Sequence, residues 1–82
     1  MNLIVLTPGK KIYSGGITSV KVPGTSGEFE VLKGHAAIVS SLKAGKVRIK
    51  KSEGGEMSFG IENGFIEVLK DEVSLLIQGY QE

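Results

Sequence analysis

Residues 22–49 read VPGTSGEFEVLKGHAAIVSSLKAGKVRI, and their pattern decides the fold. A glycine-rich turn from Pro23 to Gly27 leads into Glu28 to Leu32, where Phe29 and Val31 alternate with Glu28 and Glu30. Alternation of period two puts the apolar pair on one face and the carboxylates on the other, the signature of a half-buried strand. Gly34-His35-Ala36 follows, with the only histidine, and then an apolar run that softens through Ser40 and Ser41. After Lys43-Ala44-Gly45 a basic strand opposes Val47 and Ile49 to Lys46, Arg48 and Lys50. His35 to Lys43 is the nearest helical candidate, but it is short and Lys33 offers no cap, so it reads as loop plus strand.

The same grammar extends in both directions. Asn2 to Leu6 is an apolar run, and Pro8-Gly9 suits a type II turn. Lys11 to Ser14 reads as a brief strand ended by Gly15-Gly16. Thr18 to Val22 alternates, with Thr18, Val20 and Val22 on one face, until Pro23-Gly24 breaks it. Downstream, SEGGE at 52–56 is a hairpin tip whose Gly54-Gly55 suits positive φ. Met57, Phe59 and Ile61 share a face, and Asn63-Gly64 predicts a tight turn. Phe65 to Lys70 and Glu72 to Gln78 make two further strands, the second with Val73, Leu75 and Ile77 inward. Phe29, Phe59 and Phe65 all fall at inward positions. The expected fold is all-β: a flattened β-sandwich or barrel of about eight to ten short, mainly antiparallel strands. Residues 1–82 form a single domain of it.

Composition excludes several functions. A chain of 82 residues holds one modest core and little room for a deep pocket. It has no cysteine and one histidine, so it offers no disulfide, no thiolate centre and no zinc motif. The net charge of +1 does not argue for nucleic acid. No apolar run approaches the roughly 20 residues of a transmembrane helix, and MNLIVLTPG lacks the basic start of a signal peptide. No serine lies in G-x-S-x-G, there is no phosphate loop, and His35 has no catalytic partner in the pattern. Glu28 and Glu30 share a strand face, which reads as a solvated surface. No catalytic residue, metal site or cofactor is expected. Two rival readings remain: a nucleic-acid-binding β-barrel using the basic strip from Lys43 to Lys51, and a small carrier domain, which would want a lysine at the SEGGE tip.

Five ordered motifs resemble the N-terminal domain of the epsilon subunit of bacterial and chloroplast F-type ATP synthases. They are Val22-Pro23-Gly24, Ser26-Gly27-Glu28-Phe29, Gly34-His35-Ala36, Leu42-Lys43-Ala44-Gly45 and Val47-Arg48-Ile49. Thr7-Pro8, Tyr13-Ser14-Gly15, Asn63 to Val68 and Val73 to Leu76 extend the resemblance over nearly the whole chain. Lys33 and Ala37 stand where the family commonly has proline. The resemblance implies a non-catalytic rotor subunit in the central stalk, linking the gamma subunit to the membrane c-ring and coupling ion flow to ATP synthesis. It implies a peripheral location at the cytoplasmic face of the cell membrane, with neither nucleic acid nor direct membrane insertion. Glu28 is implied as a c-ring contact, joined by Ser26, Gly27 and Glu30. His35, Thr7 and Ser40 are implied at the gamma-facing side or rim. The family's C-terminal helical hairpin is absent from the sequence, so its restraint of ATP hydrolysis is not expected here.

Overall fold

The computed structural model describes all 82 residues. Eight strands follow in chain order: β1 (Asn2–Thr7), β2 (Lys10–Gly24), β3 (Gly27–Leu32), β4 (Ile38–Leu42), β5 (Gly45–Lys51), β6 (Glu56–Ile61), β7 (Asn63–Leu69) and β8 (Glu72–Gln78). The fold is all-β, as expected. It has no helix, and the His35 to Lys43 stretch is loop plus strand.

The long strand β2 joins two layers. Its first half pairs with β1, which continues through β8 and β7 to β4; its second half lies between β3 and β5, with β6 beyond. All pairings are antiparallel except β1 with β8. Gly24 at the end of β2 also pairs with Leu42 of β4, which ties the layers at one corner. Side chains alternate on each strand, so the inward ones meet in a single core of 16 buried residues. Leu3 and Val5, Ile66 and Val68, and Val73, Leu75 and Ile77 line one wall. Val20 and Val22, Val31, Val47 and Ile49, and Phe59 and Ile61 line the other. Phe59 stacks at an angle on Tyr80, ring centroids 5.1 Å apart.

The structure corrects four details of the sequence reading. Gly15-Gly16 does not end a strand: β2 runs through both, because Tyr13 folds over them and donates its hydroxyl to the Gly16 carbonyl at 3.0 Å. A Cβ at Gly15 would stand 3.1 Å from that hydroxyl, so the glycine leaves space rather than making a turn. Pro23-Gly24 also stays within β2. Pro23 has no N–H to give, so pairing with β5 stops at Lys21 and Arg48, while pairing with β3 continues to Gly24 and Gly27. Thr18 faces solvent: it is the extra residue of a bulge between Ile17 and Ser19, which breaks the alternation and buries Ile17 instead.

Asn63-Gly64 is not a hairpin turn. Neither residue has positive φ, and β6 and β7 do not pair; the chain crosses there from one layer to the other through Glu62. Gly64 is small because β8 passes close by: a Cβ would lie 2.8 Å from the Leu76 carbonyl. The turns read at Pro8-Gly9 and Gly54-Gly55 hold, with φ of 79° at Gly9 and of 100° and 90° at the pair.

The β7–β8 turn uses two residues in the left-handed region, Lys70 (φ 51°) and Asp71 (φ 63°). Asp71 also ties three segments together. Its Oδ1 accepts the Gly34 N–H at 3.0 Å, and its backbone carbonyl accepts the Asn2 N–H at 2.9 Å. Replacing Asp71 by Ala removes the side-chain acceptor and keeps the strained φ without an Asx side chain to tolerate it. The expected loss is about 1–2 kcal/mol. Thermal melting measures it, and hydrogen exchange at the Gly34 amide should speed up more than the global change requires.

Candidate functional surfaces

The proposed contact residues separate to opposite ends of the sandwich. Gly24 and Gly27 pair across the two-residue turn Thr25-Ser26, and the unusual dihedral falls on Gly27, at φ 133°. A Cβ there would meet nothing within 4 Å, so conformation rather than space calls for glycine. Ser26 and Glu28 are exposed at this tip, and Glu30 is exposed further along β3. The corner is held from behind, where Thr25 donates its N–H to the Ser41 carbonyl and Lys43 donates to the Pro23 carbonyl.

Thr7 stands at the same end. Leu6 pairs with Leu76, Leu76 with Phe65, Phe65 with Ser41, and Leu42 with Gly24, so the β1–β2 turn and the β2–β3 turn close one end of the molecule. Thr7 Oγ1 donates within its own turn, to the carbonyls of Pro8 and Lys10. His35 lies at the other end, past the turn that follows β3, and the strand from Glu28 to Leu32 alone spans about 13 Å. It is half-buried, its N–H bonds the Leu32 carbonyl, and its Nδ1 lies 2.7 Å from the Ala36 carbonyl. Gly34 (φ 82°) makes the bend that places it. Ser40 is half-buried on the inward side of β4, and Ser41 takes the outward position. Ser26, Gly27, Glu28 and Thr7 are thus neighbours of one end, and His35 belongs to another.

The basic strip is interrupted by acid. Lys46, Arg48 and Lys50 do point outward, but Lys50 pairs with Glu56 on β6, and Arg48 continues through Lys21 to Glu30 on β3. The cations of this face thus have a carboxylate one or two strands away, and the Tyr13 ring at the end of the strip is already covered by the Lys51 ammonium, 5.6 Å from its centroid.

The sequence reading missed the apolar outer face of β1, β8, β7 and β4. Phe65 was expected in the core. It is 40% exposed, because Ile66 and Val68 take the inward phase of β7. Leu76 (47%) on β8 is exposed directly beside it, and Val39 (60%) on β4 is exposed one row further along, opposite Glu67. A groove of about 520 Å³ runs past Leu6, Pro8, Phe65 and Leu76 to Asn63 and Gln78. The single residues looked unremarkable in sequence; only the register gathers them into a patch.

Comparison with known proteins decides the family. The family model for the ATP synthase delta/epsilon chain, beta-sandwich domain, matches residues 1–81. The chain belongs to the ATP synthase delta/epsilon family. An ATP synthase epsilon chain of Chlorobium limicola is 46% identical over 76 residues, covering 93% of this chain and 86% of that relative. The epsilon chain of Campylobacter jejuni (strain RM1221) is 43% identical over 79 residues, and the match spans 96% of this chain but 61% of the relative. Two solved ATP synthase assemblies contain a chain with the same fold. A chain of the Euglena gracilis mitochondrial ATP synthase, solved with its c-ring, superposes with a TM-score of 0.84 at 21% identity, over 95% of this chain and 50% of that one. A chain from the central stalk and c-ring of the Tetrahymena thermophila enzyme gives 0.84 at 13% identity, over 99% of this chain and 65% of that one.

Proposed function

We propose that this chain is a non-catalytic rotor element of an F-type ATP synthase, linking the gamma subunit to the membrane c-ring so that ion translocation turns the central stalk as a unit. The observation that carries the reading is the family match over residues 1–81. Two separate surfaces, suited to two partners, support it. The exposed tip Ser26-Gly27-Glu28, with Glu30 behind it, offers carboxylates to a polar loop of the ring. The apolar face around Phe65 and Leu76, bordered by Thr7, offers desolvated contact area to gamma, with Ser40 behind that face and His35 on the far rim. The titratable side chains serve recognition rather than chemistry, for the ring of His35 meets only a neighbouring backbone carbonyl. No helix is long and apolar enough to cross a membrane, and the proposed location is peripheral, on the cytoplasmic face.

Charge reversal at the tip tests the ring contact. Glu28 is exposed, so Glu28→Lys should leave the melting temperature within about 2 °C while weakening retention on a gamma–c-ring assembly about tenfold. Equal loss of folding and docking would remove Glu28 from the contact. Failure of the unmodified chain to bind immobilised gamma would sink the whole reading.

A further inference from the structure

The apolar face has an internal order that specifies what covers it. The registers align Leu6, Leu76, Phe65 and Ser41 in one row across β1, β8, β7 and β4. The next row is Ile4, Ser74, Glu67 and Val39, and beyond it Asn2, Glu72 and Leu69. The first row is apolar over three strands. The carboxylates come behind it. Glu72 accepts a hydrogen bond from the Asn2 amide at 3.1 Å, whereas Glu67 stands exposed between Ser74 and Val39. Shallow depressions flank Glu67 on both sides, one reaching Lys70 and Glu72, the other Ala37 and Val39.

Neighbouring strands lie about 4.8 Å apart, so Leu6, Leu76 and Phe65 span about 10 Å. Side chains on one face of a helix recur every three to four residues, roughly 5–6 Å along the axis, and i to i+7 covers about 10 Å. A strand laid across the row would repeat at about 6.8 Å and overshoot it. Strands β7 and β8 are paired on both sides, so their backbones have no free edge to lend to an added strand. An anionic membrane surface asks for Lys or Arg all round the apolar residues; here Lys11 opposite Leu6 and Lys70 near Glu67 stand at the margins, while Glu67 and Glu72 lie within the face itself.

We propose that the face takes an amphipathic helix of its protein partner, crossing β1, β8 and β7 at right angles, with apolar anchors at i, i+3 or i+4, and i+7 along the Leu6–Leu76–Phe65 row and a Lys or Arg of that helix set against Glu67. This rests on the reading that the partner is gamma. A photo-crosslinking amino acid placed singly at positions 6, 65 and 76, in the chain assembled into the synthase, tests it. The expected attachment points on gamma advance by three or four residues from position 6 to 76 to 65. Glu67→Lys should weaken gamma binding about tenfold, with recovery when the basic residue mapped opposite is reversed to Glu. Attachments two residues apart, scattered over several loops, on lipid, or on a second copy of this chain would overturn the helix, as would unchanged binding by Glu67→Lys. Assembly without any gamma contact would instead overturn the functional reading beneath it, so the two failures are distinguishable.

Discussion

Phe59→Ala should cost about 3–5 kcal/mol, the largest loss expected from any single truncation in this domain. Phe59 is 1% exposed on β6, pairs with Val47 on β5, and carries the Tyr80 ring against its own. Removing six ring carbons leaves a void that two stiff sheets cannot close. It also frees Tyr80, whose neighbour Gln81 bridges back to Gly60 and covers the edge of β6. A domain of this size has about 4–12 kcal/mol in hand, so the variant should be partly unfolded at 37 °C and melt roughly 15 °C lower or more. Phe65→Ala provides the contrast. Its ring is on the outer face, and the loss should stay below about 1 kcal/mol. Urea denaturation of the pair decides the matter: if Phe65→Ala is the more damaging, the inward phase of β7 is wrong.

That contrast also shows what the sequence can carry. In β8, Val73, Leu75 and Ile77 alternate with Glu72, Ser74 and Gln78 except at Leu76, and the inward face is plain. In β7, the run Phe65-Ile66-Glu67-Val68-Leu69 is apolar in both phases, so period two cannot choose between Phe65 and Ile66. The choice is made by the partners: Ile66 lies opposite Leu75, and Phe65 opposite Leu76. The glycines divide similarly. Gly54 and Gly55 are needed for their dihedrals, a local property that turn chemistry reveals. Gly15, Gly24 and Gly64 are needed for the approach of other atoms, a tertiary property with no local signal. Read as punctuation, they split β2 and invented a turn at Asn63.

The candidate surfaces follow the same division. An exposed Ser-Gly-Glu tip is local and was legible. The distance between that tip and His35 depends on the direction of β3. The apolar row depends on the register of three strands whose members, 6, 65 and 76, are far apart in the chain. Period two predicts which side chains share a face of one strand. It says nothing about which strands are neighbours, and a docking surface on a sheet is made of neighbours.

Gly24→Ala should be the most informative small change, because it joins stability to the proposed ring contact. An added Cβ would stand 2.7 Å from the Gly27 carbonyl oxygen and 2.8 Å from the Phe29 ring. The oxygen is backbone, fixed by a two-residue turn, and on the other side Gly24 is paired with Leu42. Three strands meet there, so relief must come from swinging Phe29 off the core and shifting the tip. Overpacking of this kind costs about 1–3 kcal/mol. Gly16→Ala is the control: its nearest obstacle is the Ser52 hydroxyl at 3.1 Å, a side chain free to rotate, and about 0.5 kcal/mol or less is expected. In Gly24→Ala the amide resonances of Ser26, Gly27 and Glu28 should move together, and retention on a gamma–c-ring assembly should fall even among folded molecules, with Glu28 itself unchanged. Near-equal stability of the two alanine variants, with the tip resonances in place, would show that the corner yields freely and that Gly24 does not set the position of Glu28.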